Sequence, residues 1–187
     1  MSRLPMMSAV RVESDRVVLR KACDADRDGL VELRTDPEVH AYLGGPATRE
    51  AVEQRLDEIG VEAVTALPGF FVIADKASDE MLGTVELKRH AADLPAHVTP
   101  AGEELEVGYL LRRRAWGGGL AFEAVTALLR AAAAELPDQP VLLLTQTANE
   151  RSLNLASRLG FRPFHTYRAW DAEQTASLAD LHSFRDA

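Results

Sequence analysis

The stretch that decides the fold runs from residue 105 to residue 124 and reads LEVGYLLRRRAWGGGLAFEA. Its first seven residues predict a strand, and the alanine- and leucine-rich segment after the glycines predicts a helix ending near Pro137. The glycines at 117–119 have no Cβ, so backbone amides there can approach a ligand closely. A helix N-terminus attracts anions, and the arginines at 112–114 are the one obvious basic cluster of the sequence. The stretch therefore predicts a strand, a phosphate-binding turn and a helix.

Two other phosphate-binding loops do not fit this turn. The pattern GxxxxGK[ST] is absent from the sequence, and the dinucleotide pattern GxGxxG fails because Phe122 occupies the position of its last glycine. The turn is therefore not that of a P-loop kinase or of a dinucleotide-dependent dehydrogenase.

Hydrophobic patterns on both sides of the turn predict further strands and helices. Besides 105–111, strands are predicted at 16–20, 70–74, 81–88, 141–145, 161–170 and 178–185, and helices begin at Asp24, Thr48, the glycine turn and Asn149. A central β-α-β-α unit pairs some strands in parallel, while the hairpins around it pair antiparallel. We therefore expect an N-terminal extension at 1–14 and one α/β domain at 15–187, with a mixed central sheet of about seven strands and about four flanking helices.

The composition is that of a globular protein, with 47% hydrophobic and 27% charged residues among 187. A net charge of −8 disfavours a nucleic-acid partner, because a phosphate backbone needs cationic neutralisation. Cys23 is the single cysteine and cannot form an internal disulfide, which fits a reducing cytoplasm. Since the sequence also contains no apolar run of signal-peptide or membrane-span length, we expect a cytoplasmic protein without a membrane partner.

Four short patterns together resemble the GNAT N-acetyltransferases. They are the spacing [RQ]xxGx[GA] in Arg114-Ala115-Trp116-Gly117-Gly118-Gly119, the preceding Glu106-Val107-Gly108-Tyr109, the following Glu123-Ala124, and Asn149-x-x-Ser152 with Leu159-Gly160-Phe161. The combination most resembles the RimJ/RimL-type subgroup, which acetylates protein N-termini and related amines. The resemblance covers residues 16–185 and implies a GNAT-like fold with acetyl-CoA as the co-substrate.

The same resemblance implies which residues bind the cofactor. The strand at Leu110 and Leu111 is expected to splay from its neighbour and to offer backbone groups to the pantetheine arm. The residues assigned to acetyl-CoA are Leu110, Leu111, Arg112, Arg114, Trp116, Gly117, Gly118, Gly119, Leu120, Asn149 and Ser152. Arg158 is a further candidate, for the adenosine phosphate. No metal is expected, because the five histidines show no metal-binding spacing.

Attack of an amine on a thioester needs a base and an acid for the leaving thiolate. Glu106, on the strand that leads to the cofactor, is the predicted base, and Glu104, two residues earlier on the same strand face, is the alternative. Many GNAT enzymes supply the acid from a tyrosine seven residues after the helix-capping asparagine, and this chain has Ala156 there. Ser152 is therefore the predicted acid.

No motif decides the acceptor. An α-amine with a pKa near 8 is about 10% neutral at pH 7, whereas a lysine is about 0.04% neutral. The first hypothesis is therefore the N-terminal α-amine of a protein or peptide. A small amine such as a polyamine, an aminosugar or an antibiotic is the second hypothesis, and a non-catalytic acyl-CoA-binding module is the third. Tyr42, Trp170 and Asp171 are candidates for the acceptor side, the acyl chain length stays open, and a homodimer through exposed edge strands is a further expectation.

Overall fold

The computed structural model of the protein describes residues 5–100 and 102–186, in which eight strands and four α-helices occur. The strands are β1 (Arg11–Glu13), β2 (Val17–Arg20), β3 (Phe70–Asp75), β4 (Met81–Arg89), β5 (Leu105–Leu111), β6 (Pro140–Gln146), β7 (Arg162–Ala169) and β8 (Ala172–Asp180). The helices are α1 (Arg27–Thr35), α2 (Arg49–Ile59), α3 (Leu120–Glu135) and α4 (Glu150–Arg158). The structure confirms a single α/β domain with a mixed sheet.

The sheet has the order β1-β2-β3-β4-β5-β6-β8-β7. Only the β5–β6 pair is parallel among the described strands, and the other neighbours run antiparallel. β5 and β6 pair solely at Leu105–Val141 and at Glu106–Leu142, and the two strands separate beyond these residues. The sheet therefore opens in its middle, as the resemblance implied for the strand at Leu110 and Leu111.

Helices cover both faces of the sheet, because its inner strands bury side chains in both directions. In β3, Phe71 and Ile73 belong to the apolar cluster beneath α3, and Val72 belongs to the cluster beneath α1 and α2. The side chains of Val141, Leu142 and Leu143 in β6 are buried, as predicted for a central strand. No helix of the described residues combines the length and the apolar character that a membrane span needs.

The predicted starts of α2 and α4 are confirmed, and at each of them an N-cap side chain accepts a backbone hydrogen bond. The hydroxyl of Thr48 accepts a hydrogen bond from the amide of Ala51, and the side-chain oxygen of Asn149 accepts one from the amide of Ser152. At Asp24 the chain first forms a 3-10 turn, and α1 begins only at Arg27.

The last strand differs from the prediction. A turn at Trp170 and Asp171, both with positive φ, lets β8 begin at Ala172, and the residues from Leu181 to Phe184 form a 3-10 turn. β8 has few large apolar side chains, yet its centre is buried because β6 and β7 flank it.

The predicted N-terminal extension packs with the domain where the structure describes it. Met7 is fully buried in the core, and the three residues of β1 pair with β2. Three residues are too few for a hydrophobic period, so the sequence pattern missed this edge strand. Residues 1–4 of the predicted extension lie outside the described residues.

Candidate active site

A cavity of about 1410 Å³ lies where β5 and β6 separate. Its walls come from β4 and β5, from the glycine turn, from α4 and from the segment that follows α1. The predicted site residues in its lining are Glu106, Leu110, Leu111, Trp116, Gly117, Gly119, Leu120, Asn149, Ser152 and Arg158. The fold therefore brings together most of the residues that were singled out from four separate motifs.

The glycine turn presents backbone donors to this cavity. Gly117 and Gly119 have φ of 80° and 77°, a region that side chains disfavour. Within the described residues, the amides of 117–119 have no hydrogen-bond acceptor, and the first amides of α3 are free as at any helix start. Arg16 donates to the carbonyl of Gly118 over 2.9 Å and binds Glu123 over 2.7 Å. This contact, which the sequence did not indicate, fixes the orientation of the turn.

The side chains of the arginine run at 112–114 are directed away from the cavity, whereas the resemblance assigned the backbone amides of this segment to the pyrophosphate. The carboxylate partners of its three guanidinium groups are, in order, Glu32, Asp36 and Glu80. The side chain of Arg112 is 10% exposed and also donates to the carbonyl of Met81 over 2.9 Å. The side chains of Arg112 and Arg114 therefore fasten the end of β5 to α1 and to the β3–β4 turn. Their backbone remains part of the loop that precedes the glycines.

Two arginines of α4 supply positive charge to the cavity instead. Arg158 lies 5.0 Å from the ring centre of Phe122, and Arg151 lies 5.0 Å from that of Trp116. Both line the cavity, and neither has a carboxylate within 4 Å among the described residues. Stacking uses the face of a guanidinium group and leaves the N–H donors at its edge free. Arg158 was predicted from the sequence, whereas Arg151 was missed.

The carboxylate of Glu106 faces the cavity with its side chain 15% exposed. Its Oε2 lies 2.7 Å from Nδ1 of His90, and its Oε1 lies 3.5 Å from Nζ of Lys88. Lys88 is also 2.6 Å from a carboxylate oxygen of Glu86. Burial lowers the pKa of Lys88, but the two carboxylates outweigh burial and raise it, so this side chain remains an ammonium at neutral pH.

Glu104, the alternative base, is used elsewhere. Its buried carboxylate accepts hydrogen bonds from the amide and hydroxyl of Thr99 and from the amide of Val98, and it lies 2.7 Å from Nδ1 of His97. Burial raises the pKa of Glu104, but these contacts outweigh burial and lower it to about 2. Glu104 does not line the cavity and instead ties the loop of residues 91–102 to the start of β5.

Ser152 has a partner that the sequence did not reveal. Its Oγ lies 2.9 Å from the hydroxyl of Tyr109, whose pKa is raised by burial. Tyr109 and Ser152 both line the cavity, whereas Ala156, at the usual tyrosine position, is buried in the core. Tyr109 belongs to the quoted Glu106–Tyr109 pattern, so its presence was visible and only its contact was not.

Of the acceptor candidates, the structure places one at the cavity. Tyr42 is in the cavity lining, whereas Trp170 is 69% exposed at the β7–β8 turn and Asp171 is its neighbour there. The charged residues on the acceptor side of the lining are Arg34, Glu38, Glu86, Lys88 and Glu106.

Comparison with known proteins is consistent with this geometry. The family model of the acetyltransferase (GNAT) domain matches residues 16–162. The chain belongs to the GNAT acetyltransferase family. This GNAT enzyme is 28% identical over 174 residues to the uncharacterized N-acetyltransferase p20 of Bacillus licheniformis, which covers 91% of this chain and 92% of that relative.

Solved structures share the GNAT fold. A GNAT-family acetyltransferase from Bacillus anthracis superposes with a TM-score of 0.72 at 16% identity, covering 91% of this chain and 98% of that one. The spermidine N-acetyltransferase of Vibrio cholerae, solved with CoA and spermine, gives a TM-score of 0.65 at 14% identity, with 90% and 97% covered. At these identities the likeness concerns the fold.

Proposed function

We propose that this GNAT enzyme transfers the acetyl group of acetyl-CoA directly to the N-terminal α-amine of a protein or peptide, as a RimJ/RimL-type enzyme. The observation that carries the proposal is the carboxylate of Glu106 at the point where β5 and β6 separate. A carboxylate base needs least help with an α-amine, because the neutral fraction of that amine is larger than that of lysine by more than two orders of magnitude. Cys23 lies outside the cavity lining, which supports transfer without a covalent enzyme intermediate.

Thiol release from acetyl-CoA tests this function against its competitors. The purified protein and acetyl-CoA are mixed with one class of amine in each reaction: N-terminal peptides, polyamines or aminosugars. Release with the peptides alone supports the proposal. The carboxylates of Glu38, Glu86 and Glu106 in the lining favour a cationic small amine as the second candidate, and release with polyamines alone would select it. A raised melting temperature with acetyl-CoA but no release with any amine would favour a non-catalytic acyl-CoA-binding module.

The cofactor-binding surface of this proposal consists of the turn amides and the arginines of α4. Amides at a helix start and the guanidinium groups of Arg151 and Arg158, which have no carboxylate partner in the described part of the chain, fit the charge of a pyrophosphate and an adenosine phosphate. The walls near Leu110 and Asn149 then fit the pantetheine arm.

Substitution of an arginine in α4 is expected to weaken acetyl-CoA binding more than substitution of an arginine in the run at 112–114. Arg158→Gln removes a cation from the cavity and should weaken acetyl-CoA binding about tenfold, or about 1.4 kcal/mol. Arg114→Gln breaks only an exposed ion pair with Glu80 and should leave the Kd within about twofold. Titration calorimetry measures the Kd for acetyl-CoA of both variants. A larger loss of affinity in Arg114→Gln than in Arg158→Gln would indicate that the side chains of the arginine run at 112–114 bind the cofactor phosphates.

The hydroxyls of Ser152 and Tyr109 are the proposed acid for the leaving thiolate. Ser152 is placed to donate to the sulfur, and Tyr109 then donates to the serine oxygen across 2.9 Å. The two residues act as one unit in this proposal, which replaces the tyrosine absent at Ala156.

Such a unit is expected to give non-additive losses. Ser152→Ala and Tyr109→Phe should each lower kcat by about 10- to 100-fold, and the double variant should lose little more than the worse single one. Thiol-release rates at saturating acetyl-CoA measure the effect. If the loss of kcat in the double variant equals the product of the two single losses, the two hydroxyls act independently.

Three further features of the proposal concern the state of the protein. We propose a cytoplasmic enzyme that binds neither nucleic acid nor membranes, on the grounds of its net charge of −8 and its single cysteine. We also propose a homodimer formed through β7, a sheet edge whose residues are mostly exposed and include the partly exposed Phe164. Light scattering of the purified chain measures its mass and tests this.

A further inference from the structure

His90 contacts the carboxylate of the proposed base from the buried side. It follows the end of β4, and its side chain is 0% exposed. Nδ1 of its ring lies 2.7 Å from Oε2 of Glu106, and Nε2 lies 2.8 Å from the carbonyl oxygen of Pro95. Both ring nitrogens of this histidine therefore point at oxygens.

The two oxygens determine where hydrogens sit on the ring. A carbonyl oxygen only accepts, so Nε2 must carry a hydrogen. An ionised carboxylate also only accepts, so Nδ1 must carry one as well. A neutral imidazole has a single N–H and would set a lone pair against the carboxylate oxygen at 2.7 Å. With Glu106 as the carboxylate that a base requires, both contacts are satisfied when each ring nitrogen of His90 carries a hydrogen.

We propose that His90 is a positioning residue that holds Oε2 of Glu106 in place and leaves Oε1 to accept a proton. This inference rests on the proposed role of Glu106 as the base. The N–H bond of the acceptor breaks, an O–H bond forms at Oε1, and the nitrogen electron pair attacks the thioester carbonyl. The C–S bond then breaks, and the leaving thiolate takes a proton from the hydroxyl of Ser152. Oε2 stays bound to His90 throughout, so the carboxylate does not rotate, and the proton on Oε1 then passes to water.

Other charged and titratable groups surround this pair. The ammonium of Lys88, which also contacts Glu86, faces Oε1 from β4 at 3.5 Å. Tyr167 approaches from β7, and its pKa is raised first by burial and then by the charge of Glu106. The ring of His97 lies 4.7 Å from the ring of His90, and its hydrogen bond to Glu104 raises the pKa of His97.

The segment between β4 and β5 provides the second contact of the His90 ring. The carbonyl of Pro95 orients His90, and Glu104 holds the same loop through Val98 and Thr99. The ring of His90 is thus supported by a segment that Glu104 anchors three residues beyond Pro95.

Two substitutions separate the roles of the ring nitrogens. The amide nitrogen of asparagine can replace Nδ1 and still donate to Glu106, whereas that of glutamine can replace Nε2 and reach only Pro95. We expect His90→Gln to lower kcat about 30-fold or more and His90→Asn to lower it less than about fivefold at the pH optimum. His165→Asn, at an exposed histidine of β7, is the matched control and should leave kcat unchanged.

A readout without activity makes the outcome independent of the acceptor. In ¹⁵N NMR spectra of the wild-type protein at pH 7, both ring nitrogens of His90 should carry a hydrogen, and Glu106→Gln should remove the one on Nδ1. A ring without a hydrogen on Nδ1 in the wild type, or an unchanged kcat in His90→Gln, would overturn the inference about His90. If Glu106→Gln itself keeps wild-type turnover, the proposed base is wrong and the inference about His90 falls with it, so the two failures are distinct results.

Discussion

Replacement of Glu106 by glutamine is expected to lower kcat by about 10²- to 10⁴-fold while the Kd for acetyl-CoA stays within about twofold. Glutamine keeps the shape of the side chain and its contact with His90 but cannot take a proton from the amine. The cofactor contacts proposed above lie on the turn and on α4 and do not involve this carboxylate. Thiol release measures kcat, and calorimetry measures the Kd.

The neighbouring carboxylate of Glu86 provides the control for this experiment. It lies on the same face of the sheet above Gly108, and Lys88 neutralises it at 2.6 Å. Glu86→Gln is therefore expected to lower kcat less than tenfold. The opposite ranking of the two variants would transfer the role of base to Glu86, and wild-type rates for Glu106→Gln would remove Glu106 from the mechanism.

Replacement of Glu104 by glutamine is expected to lower the free energy of unfolding by about 3 kcal/mol near pH 6. The pKa of this carboxyl lies at about 2 in the folded protein instead of its ordinary 4.5. The difference corresponds to the interactions that the ionised form makes with the loop, and an uncharged amide cannot replace them all. For a domain of this size the melting temperature should fall by about 6–12 °C, measured by calorimetry.

The pH dependence of this difference has a defined sign. A depressed carboxyl pKa contributes stability that is present above the unfolded value of 4.5 and is lost as the pH falls toward 2. The pKa of His97 is raised by the same contact, so its contribution is present below 6.5 and is lost as the pH rises above the folded value. The gap between wild type and variant should therefore be largest between about pH 4.5 and 6.5.

The exposed neighbour Glu103 is the matched control. Glu103→Gln should change the free energy of unfolding by less than about 0.5 kcal/mol. An equally stable Glu104→Gln variant would mean that the loop of residues 91–102 is held by contacts other than this carboxylate.

The cavity gathers most predicted residues because their signals are local. A capping side chain such as Asn149 marks the first turn of its own helix, and the glycines at 117–119 mark the only kind of backbone that can turn there and present amides. The apolar residues at 141–143 likewise indicate a central strand without reference to any other part of the chain. Each of these predictions depends on the properties of a few adjacent residues.

The features that the sequence did not indicate concern pairs of residues that are distant in sequence. Charge in the arginine run at 112–114 was visible, but its partners on α1 and in the β3–β4 turn lie more than 30 residues away, so the direction of these side chains depends on packing. Arg151 was missed for a related reason, since only the approach of α4 to Trp116 places it in the cavity. The strand β8 lacks an apolar pattern of its own and is buried by its neighbours.

The sequence by itself determined the class of the fold, the position of the glycine turn and the acetyltransferase family, because these depend on residue types at short spacing. The tertiary structure alone decided which charges face the cavity and which hydrogen-bond partners the catalytic candidates have. His90 reaches Glu106 because Lys88 and Glu106 are opposite each other in the β4–β5 pair, and Tyr109 reaches Ser152 because α4 packs beside the gap between β5 and β6. Such contacts depend on the relative placement of whole helices and strands, which short sequence patterns do not predict.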